Sequence, residues 1–245
     1  MRKLLLFTML MMVAHYGWAQ APNWAWAKKA GGINDDTAGD NLLDSAGNLY
    51  VTGAFFSPNI SFGSYTLNNP NVPPYCSMLL VKYDANGNVL WAKSKDSIAG
   101  EYMAEDIHGD IYVIGEYGSL YLASPYVDDV WIAKYNSNGS LIWSKKFGGM
   151  GGTRSRGIAI DNGGNIYITG EFRCPTMVFD TITLTNSTGG SWFDVFVAKL
   201  DSVGNTIWAK SAGNSTNAQS SGISINTSGD VIIAGYYNGN SPLLY

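Results

Sequence analysis

Apolar and polar positions follow one pattern at the start of this chain and another in the rest of it. Residues 4–13, LLLFTMLMMV, are almost unbroken apolar and follow the basic pair Arg2-Lys3. Downstream the apolar residues come in short runs broken by Gly, Asn, Asp and Ser. Some runs alternate with polar residues at the period of two that suits a strand, as in IYITGEF (Ile166–Phe172). Others, such as DVFVAKLD (Asp194–Asp201), are nearly continuous, as expected where both faces of a strand are covered. Between the runs lie DSAGN, DANGN, NSNGS, DNGGN and DSVGN. In such turns the Asp or Asn hydrogen-bonds local backbone and the Gly supplies a positive φ. The pattern predicts strands joined by tight hairpins, with no helix.

The runs also repeat. GNLYVTGAF at Gly47, GDIYVIGEY at Gly109, GNIYITGEF at Gly164 and GDVIIAGYY at Gly229 spell one strand four times. A second phrase recurs as VKYDANGNVLWAK (Val81–Lys93), AKYNSNGSLIWSK (Ala133–Lys145) and AKLDSVGNTIWAK (Ala198–Lys210), with a fragment, WAWAK, at 24–28. Tryptophans 26, 91, 143 and 208 are spaced 65, 52 and 65 residues apart, so the period is about sixty with variable inserts. Each full repeat reads as four strands: a short first strand, a turn, the GNxYxTGxF strand, a long variable insert, then two strands joined by another turn. Four-stranded units at this period are blades of a β-propeller. One blade cannot bury both of its faces alone, so neighbours stack around an axis. The recurring Tyr and Trp are then residues that pack between blades.

The phrases GNxYxTGxF and DxxGNxxWAK resemble the bacterial seven-bladed β-propeller repeat family, the SBBP repeat, found in exported proteins. The resemblance covers about residues 24–237 and implies an all-β propeller while saying little about activity. The third repeat fits best. The first has Ser77-Met78 where the others open their third strand with Asp129 and Asp194, and the second has a shortened insert, YGSLYLASPYVD. The blades are expected at about 40–93, 94–145 and 146–210, with a partial fourth at 211–245 and an orphan fourth strand at 24–28. The last residues, NSPLLY, fall in an insert. The expectation is a partial copy of a longer ring, with a four-bladed ring as the alternative. Such an arc leaves blade faces and strand edges open, which predicts poor solubility or oligomerisation.

The N-terminal pattern reads as a secretory signal peptide over residues 1–19, cut after Ala19, with the propeller domain at 20–245. The apolar run is short for a membrane anchor. The expected location is therefore secreted or cell surface, with no membrane insertion after cleavage. The leader carries two of the fifteen basic residues and none of the nineteen acidic ones, which leaves a net charge of −6. That gives no electrostatic footprint for nucleic acid. Cys76 and Cys174 lie in non-equivalent loops and carry no disulfide framework, although an exported location permits a bridge between them. His108 is the one histidine beyond the leader, so histidine-based metal sites and Ser-His-Asp catalysis have little to work with.

Topology sorts the remaining candidates. The first-to-second and third-to-fourth turns share one end of each blade, and the long connections share the other, where binding residues concentrate. Candidate ligand-binding residues there are Asp35, Asp36, Arg154, Arg156, Glu171, Arg173 and Trp192. Acid, base and exposed aromatics together suit a polar ligand such as a glycan. The plainer reading is of solvated loop residues and strand caps. Asp129 and Asp194 open third strands, where a structural role is expected. Glu116 and Glu171 end their second strands at equivalent positions, and a catalytic carboxylate pair needs two different environments. The turns carry too few converging oxygens for calcium. They fit neither the sialidase Asp-box nor the quinoprotein tryptophan motif, and GGMGG lacks the Lys-Ser/Thr of a phosphate loop. The expectation is a non-catalytic binding or surface-interaction module for glycan or protein, without cofactor or metal. The alternatives are a polysaccharide-acting enzyme on the same scaffold and a structural spacer in a larger surface protein.

Overall fold

The computed structural model describes residues 25–71, 75–118, 129–149 and 151–238. The expected signal peptide lies outside the described residues. The first repeat forms β1 (Asp36–Leu43), β2 (Leu49–Phe55), a small hairpin of β3 (Asn59–Phe62) and β4 (Tyr65–Asn68), then β5 (Ser77–Tyr83) and β6 (Val89–Asp96). The second forms β7 (Ile98–Glu105), β8 (Ile111–Tyr117), β9 (Asp129–Tyr135) and β10 (Leu141–Phe147). The third forms β11 (Thr153–Ile160), β12 (Ile166–Phe172), the hairpin β13 (Thr176–Phe179) and β14 (Ile182–Thr185), then β15 (Asp194–Leu200) and β16 (Thr206–Ala212). Two strands follow, β17 (Ala218–Ile225) and β18 (Val231–Tyr237).

Among the described residues every element is a strand and every paired strand is antiparallel. Three four-stranded sheets have the orders β1-β2-β5-β6, β7-β8-β9-β10 and β11-β12-β15-β16, and β17 pairs with β18 as a two-stranded sheet. These are propeller-like blades. The first strands β1, β7, β11 and β17 neighbour one another from blade to blade. Burial peaks in the middle of each sheet: β5 and β12 are buried at every position, while the outer β10 and β16 are largely exposed or half-buried. The core lies between blades. Tyr50, Leu80 and Trp91 of the first blade pack with Ile98, Val113 and Trp131 of the second. Ile114, Ile132 and Phe147 of the second pack with Ile168, Phe172 and Phe196 of the third.

The repeated letters occupy one row across each blade. Tyr50 on β2 faces Lys82 on β5, which faces Trp91 on β6. The Lys82 ammonium lies 4.7 Å from the Tyr50 ring centroid, and the Tyr50 and Trp91 rings meet edge to face at 5.8 Å. The second blade repeats this with Lys134 4.9 Å from the centroid of Tyr112, whose ring meets Trp143 at 5.9 Å. The third repeats it with Lys199, Tyr167 and Trp208. In the first two blades the lysine also reaches the turn aspartates: Lys82 to Asp44 at 3.4 Å, Lys134 to Asp106 at 3.0 Å and to Asp110 at 2.9 Å. A buried ammonium needs such partners, because desolvation of an unpaired charge is costly.

The tryptophans join blade to blade. Trp91 Nε1 donates to the Ser137 carbonyl in the β9–β10 turn at 3.1 Å, and Trp143 Nε1 to the Ser202 carbonyl in the β15–β16 turn at 3.3 Å. Gly139, at the tip of the first of these turns, has φ +76°, and a Cβ there would fall 2.9 Å from the Trp91 ring. Glycine thus serves both the turn and the neighbouring tryptophan. Trp26 makes the same kind of bond to Ala85 in the β5–β6 turn, at 3.2 Å, and stacks on Tyr83. The WAWAK fragment therefore places its tryptophan against the first blade as a preceding fourth strand would, although residues 25–30 pair with no strand among the described residues.

Cys76 and Cys174 are both buried and form no disulfide. Burial pushes the Cys174 thiol up to about 11.

Candidate functional site

All four first strands break their ladder at the same place. The register shifts between Ala38 and Asp40, Gly100 and Tyr102, Ser155 and Gly157, and Ser220 and Gly222. Such a bulge leaves one residue out of pairing and turns its side chain away from the ladder. Those residues are Gly39, Glu101, Arg156 and Ser221, each five positions before the turn Asp or Asn. At the first bulge a side chain has no room, since a Cβ on Gly39 would lie 2.3 Å from the Gly100 carbonyl oxygen. The other three differ in charge, so a repeated backbone feature carries unrepeated chemistry.

The third blade gathers most of that chemistry at its long-connection end. Arg154 on β11 stands opposite Glu171 on β12. Glu171 is fully buried, and its Oε1 accepts from Arg156 Nη2 at 2.8 Å and from Arg154 Nη1 at 3.3 Å. Its Oε2 has no hydrogen-bond partner among the described residues. The Arg154 guanidinium lies 5.0 Å from the centroid of the Phe193 ring. Two guanidinium groups therefore share one carboxylate oxygen.

The second blade closes the cluster from the other side. Burial works against the charge of Arg156, but hydrogen bonds with Glu171 and Tyr102 outweigh it and hold its pKa above the ordinary value. Burial pushes the Glu101 carboxyl up, with the nearby Arg156 charge opposing. Glu101, Tyr102 and Phe193 were not among the candidates read from the sequence. Aligning the repeats on the turn Asp or Asn would have found Glu101, because the bulge column reads Gly, Glu, Arg, Ser.

The remaining candidates fall in two groups. Arg173 ties the end of β12 to the loop before β11, its backbone N–H donating to the Gly152 carbonyl at 2.8 Å. Trp192 is 51% exposed, yet its backbone is held on both sides: its N–H donates to Thr188 Oγ1 and its carbonyl accepts from Asn186 Nδ2, both at 2.9 Å. Asp35 and Asp36 hold the first blade's own loop. Asp36 Oδ2 accepts from the Gly32 N–H at 2.6 Å and from Ser57 Oγ at 3.0 Å, while the Asp35 carbonyl accepts from the Phe56 N–H at 3.1 Å. Asp194 has the structural role expected of it, accepting from the Ser187 N–H at 2.6 Å and from Ser187 Oγ at 2.8 Å. Glu116 stands opposite Ala99, where Glu171 stands opposite Arg154, so the two glutamates have different partners across the ladder.

Comparison with known proteins agrees with this architecture. The chain is 26% identical, over a 270-residue alignment, to the Uncharacterized WD repeat-containing protein L264 of Acanthamoeba polyphaga mimivirus. The alignment covers 90% of this chain and 19% of that protein, so the chain spans about a fifth of its relative's length. Residues 142–171, which run from β10 through β11 to Glu171 on β12, match the SBBP β-propeller repeat. That match places one copy of the repeat in this chain and supports the resemblance of its other repeats to the same family.

Proposed function

We propose that this chain is an exported, non-catalytic binding module that holds a glycan at the long-connection end of its third blade. The observation that carries this reading is the pair Arg154 and Arg156, fixed on the buried carboxylate of Glu171, with Trp192 exposed on the adjoining loop. Guanidinium groups donate hydrogen bonds in a planar fork that suits carboxylates and hydroxyl pairs. An exposed indole stacks on the C–H face of a sugar ring. The expectation of export rests on Arg2-Lys3, the apolar run that follows and the small residues before Gln20.

A hydrolytic role fits the same residues less well. A general acid must reach the oxygen it protonates, and Glu171 is fully buried with both arginines on its Oε1. The test is binding to an array of extracellular glycans, run beside an assay of reducing-sugar release. Binding without release is expected. Release that disappears in a Glu171→Gln variant would overturn the non-catalytic reading.

A further inference from the structure

The first and third blades present an aromatic side chain in the same way. Their long connections contain TLNNPNVPPYCS (66–77) and TLTNSTGGSWFD (183–194), equal in length and different in most of their middle residues. Asn69 and Asn186 are buried at equivalent positions and have four bonds in common. Each N–H donates to a proline carbonyl at 2.9 Å, Pro58 in one blade and Pro175 in the other. Each Oδ1 accepts from the N–H two residues on, Asn71 at 3.1 Å and Thr188 at 2.9 Å. Each Nδ2 donates to the last residue of the second strand, to the carbonyl of Phe55 at 3.3 Å and of Phe172 at 3.0 Å. The same Nδ2 also donates six residues ahead, to the carbonyl of Tyr75 at 3.1 Å and of Trp192 at 2.9 Å.

These bonds fix the backbone of Tyr75 and Trp192 and leave the side chains outside. Tyr75 is 43% exposed and Trp192 51%, while the next residues, Cys76 and Phe193, are buried. Two loops of unlike sequence thus spend a buried asparagine on holding one aromatic ring outward. A scaffold role explains the asparagine and the buried residue after the ring, but it leaves the exposed ring without a purpose. The second blade, with its shorter connection, stands between the two.

We propose that Tyr75 and Trp192 are two stacking platforms of one extended site for an acidic polysaccharide long enough to reach both. The proposal rests on the glycan reading given above. A rigid aromatic face at two separated points suits a ligand that repeats the same ring along its length. The acidic class follows from Arg154, whose guanidinium lies over Phe193, the residue next to Trp192.

The test is the affinity of the full-length secreted protein for a ladder of oligogalacturonates, from the disaccharide upward, with cello-oligosaccharides as the neutral counterpart. A step of about tenfold or more is expected at the length that first engages both platforms. Tyr75→Ala should remove the step and leave short oligomers bound as before, and Trp192→Ala should weaken every length. Thermal melting of both variants alongside the parent checks that the fold is kept. A step that survives Tyr75→Ala, or short-oligomer binding with no step in the parent, overturns the two-platform site and leaves the glycan reading standing. Equal or tighter binding of the neutral ladder overturns the acidic class. No binding to either ladder at any length overturns both this site and the glycan reading.

Discussion

The two ends of each blade use the same strands under opposite rules. At the turn end one arrangement recurs: Asp44, Asp84, Asp161 and Asp201 each accept, through Oδ1, from the N–H groups two and four residues on. Asp106, Asn136 and Asn226 do the same. The glycine between those two N–H groups has φ between +76° and +86° in all seven turns. At the other end the bulge residues are Gly39, Glu101, Arg156 and Ser221, and no two agree. Repetition at one end records what every blade needs in order to pack. Its absence at the other marks positions that blade packing leaves free to differ.

Two tryptophans break or sharpen this contrast most directly. Trp91 is 9% exposed, packs on Tyr50 and bonds to the next blade, whereas Trp192 is 51% exposed. Trp91→Ala should cost about 3–5 kcal/mol, the usual loss for truncating a buried aromatic. Trp192→Ala should change stability by no more than about 0.5 kcal/mol, as expected of a surface position. Urea unfolding of the two variants beside the parent checks this. Equal losses would mean that the loop end carries the fold as heavily as the turn end does.

That contrast also explains how much was legible in the sequence. Strands, turns and blades could be read because each rests on local rules repeated several times: alternation, the Asp and Gly of a hairpin, the Tyr and Trp of a shared row. The lysine in that row was visible in VKYD, AKYN and AKLD, but its partners are set by register between strands and not by spacing along the chain. Arg154, Arg156 and Glu171 could be named as candidates, yet their convergence on one oxygen depends on a bulge, which alternation does not reveal. Tyr75 does not stand out in the sequence, because its loop shares only scattered residues with that of Trp192. Asn69 and Asn186, six residues before each ring, were the available signal.

A second prediction concerns the turn end. Burial disfavours the charge of Asp106, but Lys134 and the N–H groups of Asp110 and His108 outweigh it, and its pKa lies below the ordinary carboxylate value. Asp44 and Asp161 are lowered in the same sense, chiefly through Asn48 and Asn165 acting against burial. A carboxylate lowered on folding adds stability that is fully present above its unfolded value of about 3.9. That stability is lost as pH falls through the folded value. Acid unfolding should therefore set in below about pH 4. Asp106→Ala should cost about 3 kcal/mol at neutral pH, since it removes one of two carboxylates from a buried lysine. It should also flatten the acid limb of a stability–pH profile.

The smallest expected effect lies at the other end and has the opposite sign. Glu101 is raised by burial, with Arg156 opposing, so the folded chain holds its proton more tightly than the unfolded chain does. Its contribution is greatest at low pH and is lost as pH rises from about 4.3, the unfolded value, through the folded value. Glu101→Gln should leave stability nearly unchanged in acid and raise it slightly at neutral pH. The check is denaturant unfolding of the variant and the parent at pH values on either side of that window. A variant less stable than the parent at neutral pH would mean that the attraction of Arg156 outweighs burial. Glu101 would then belong to the packing of the second blade against the third, and the bulge column would lose one of the differences that set it apart from the turns.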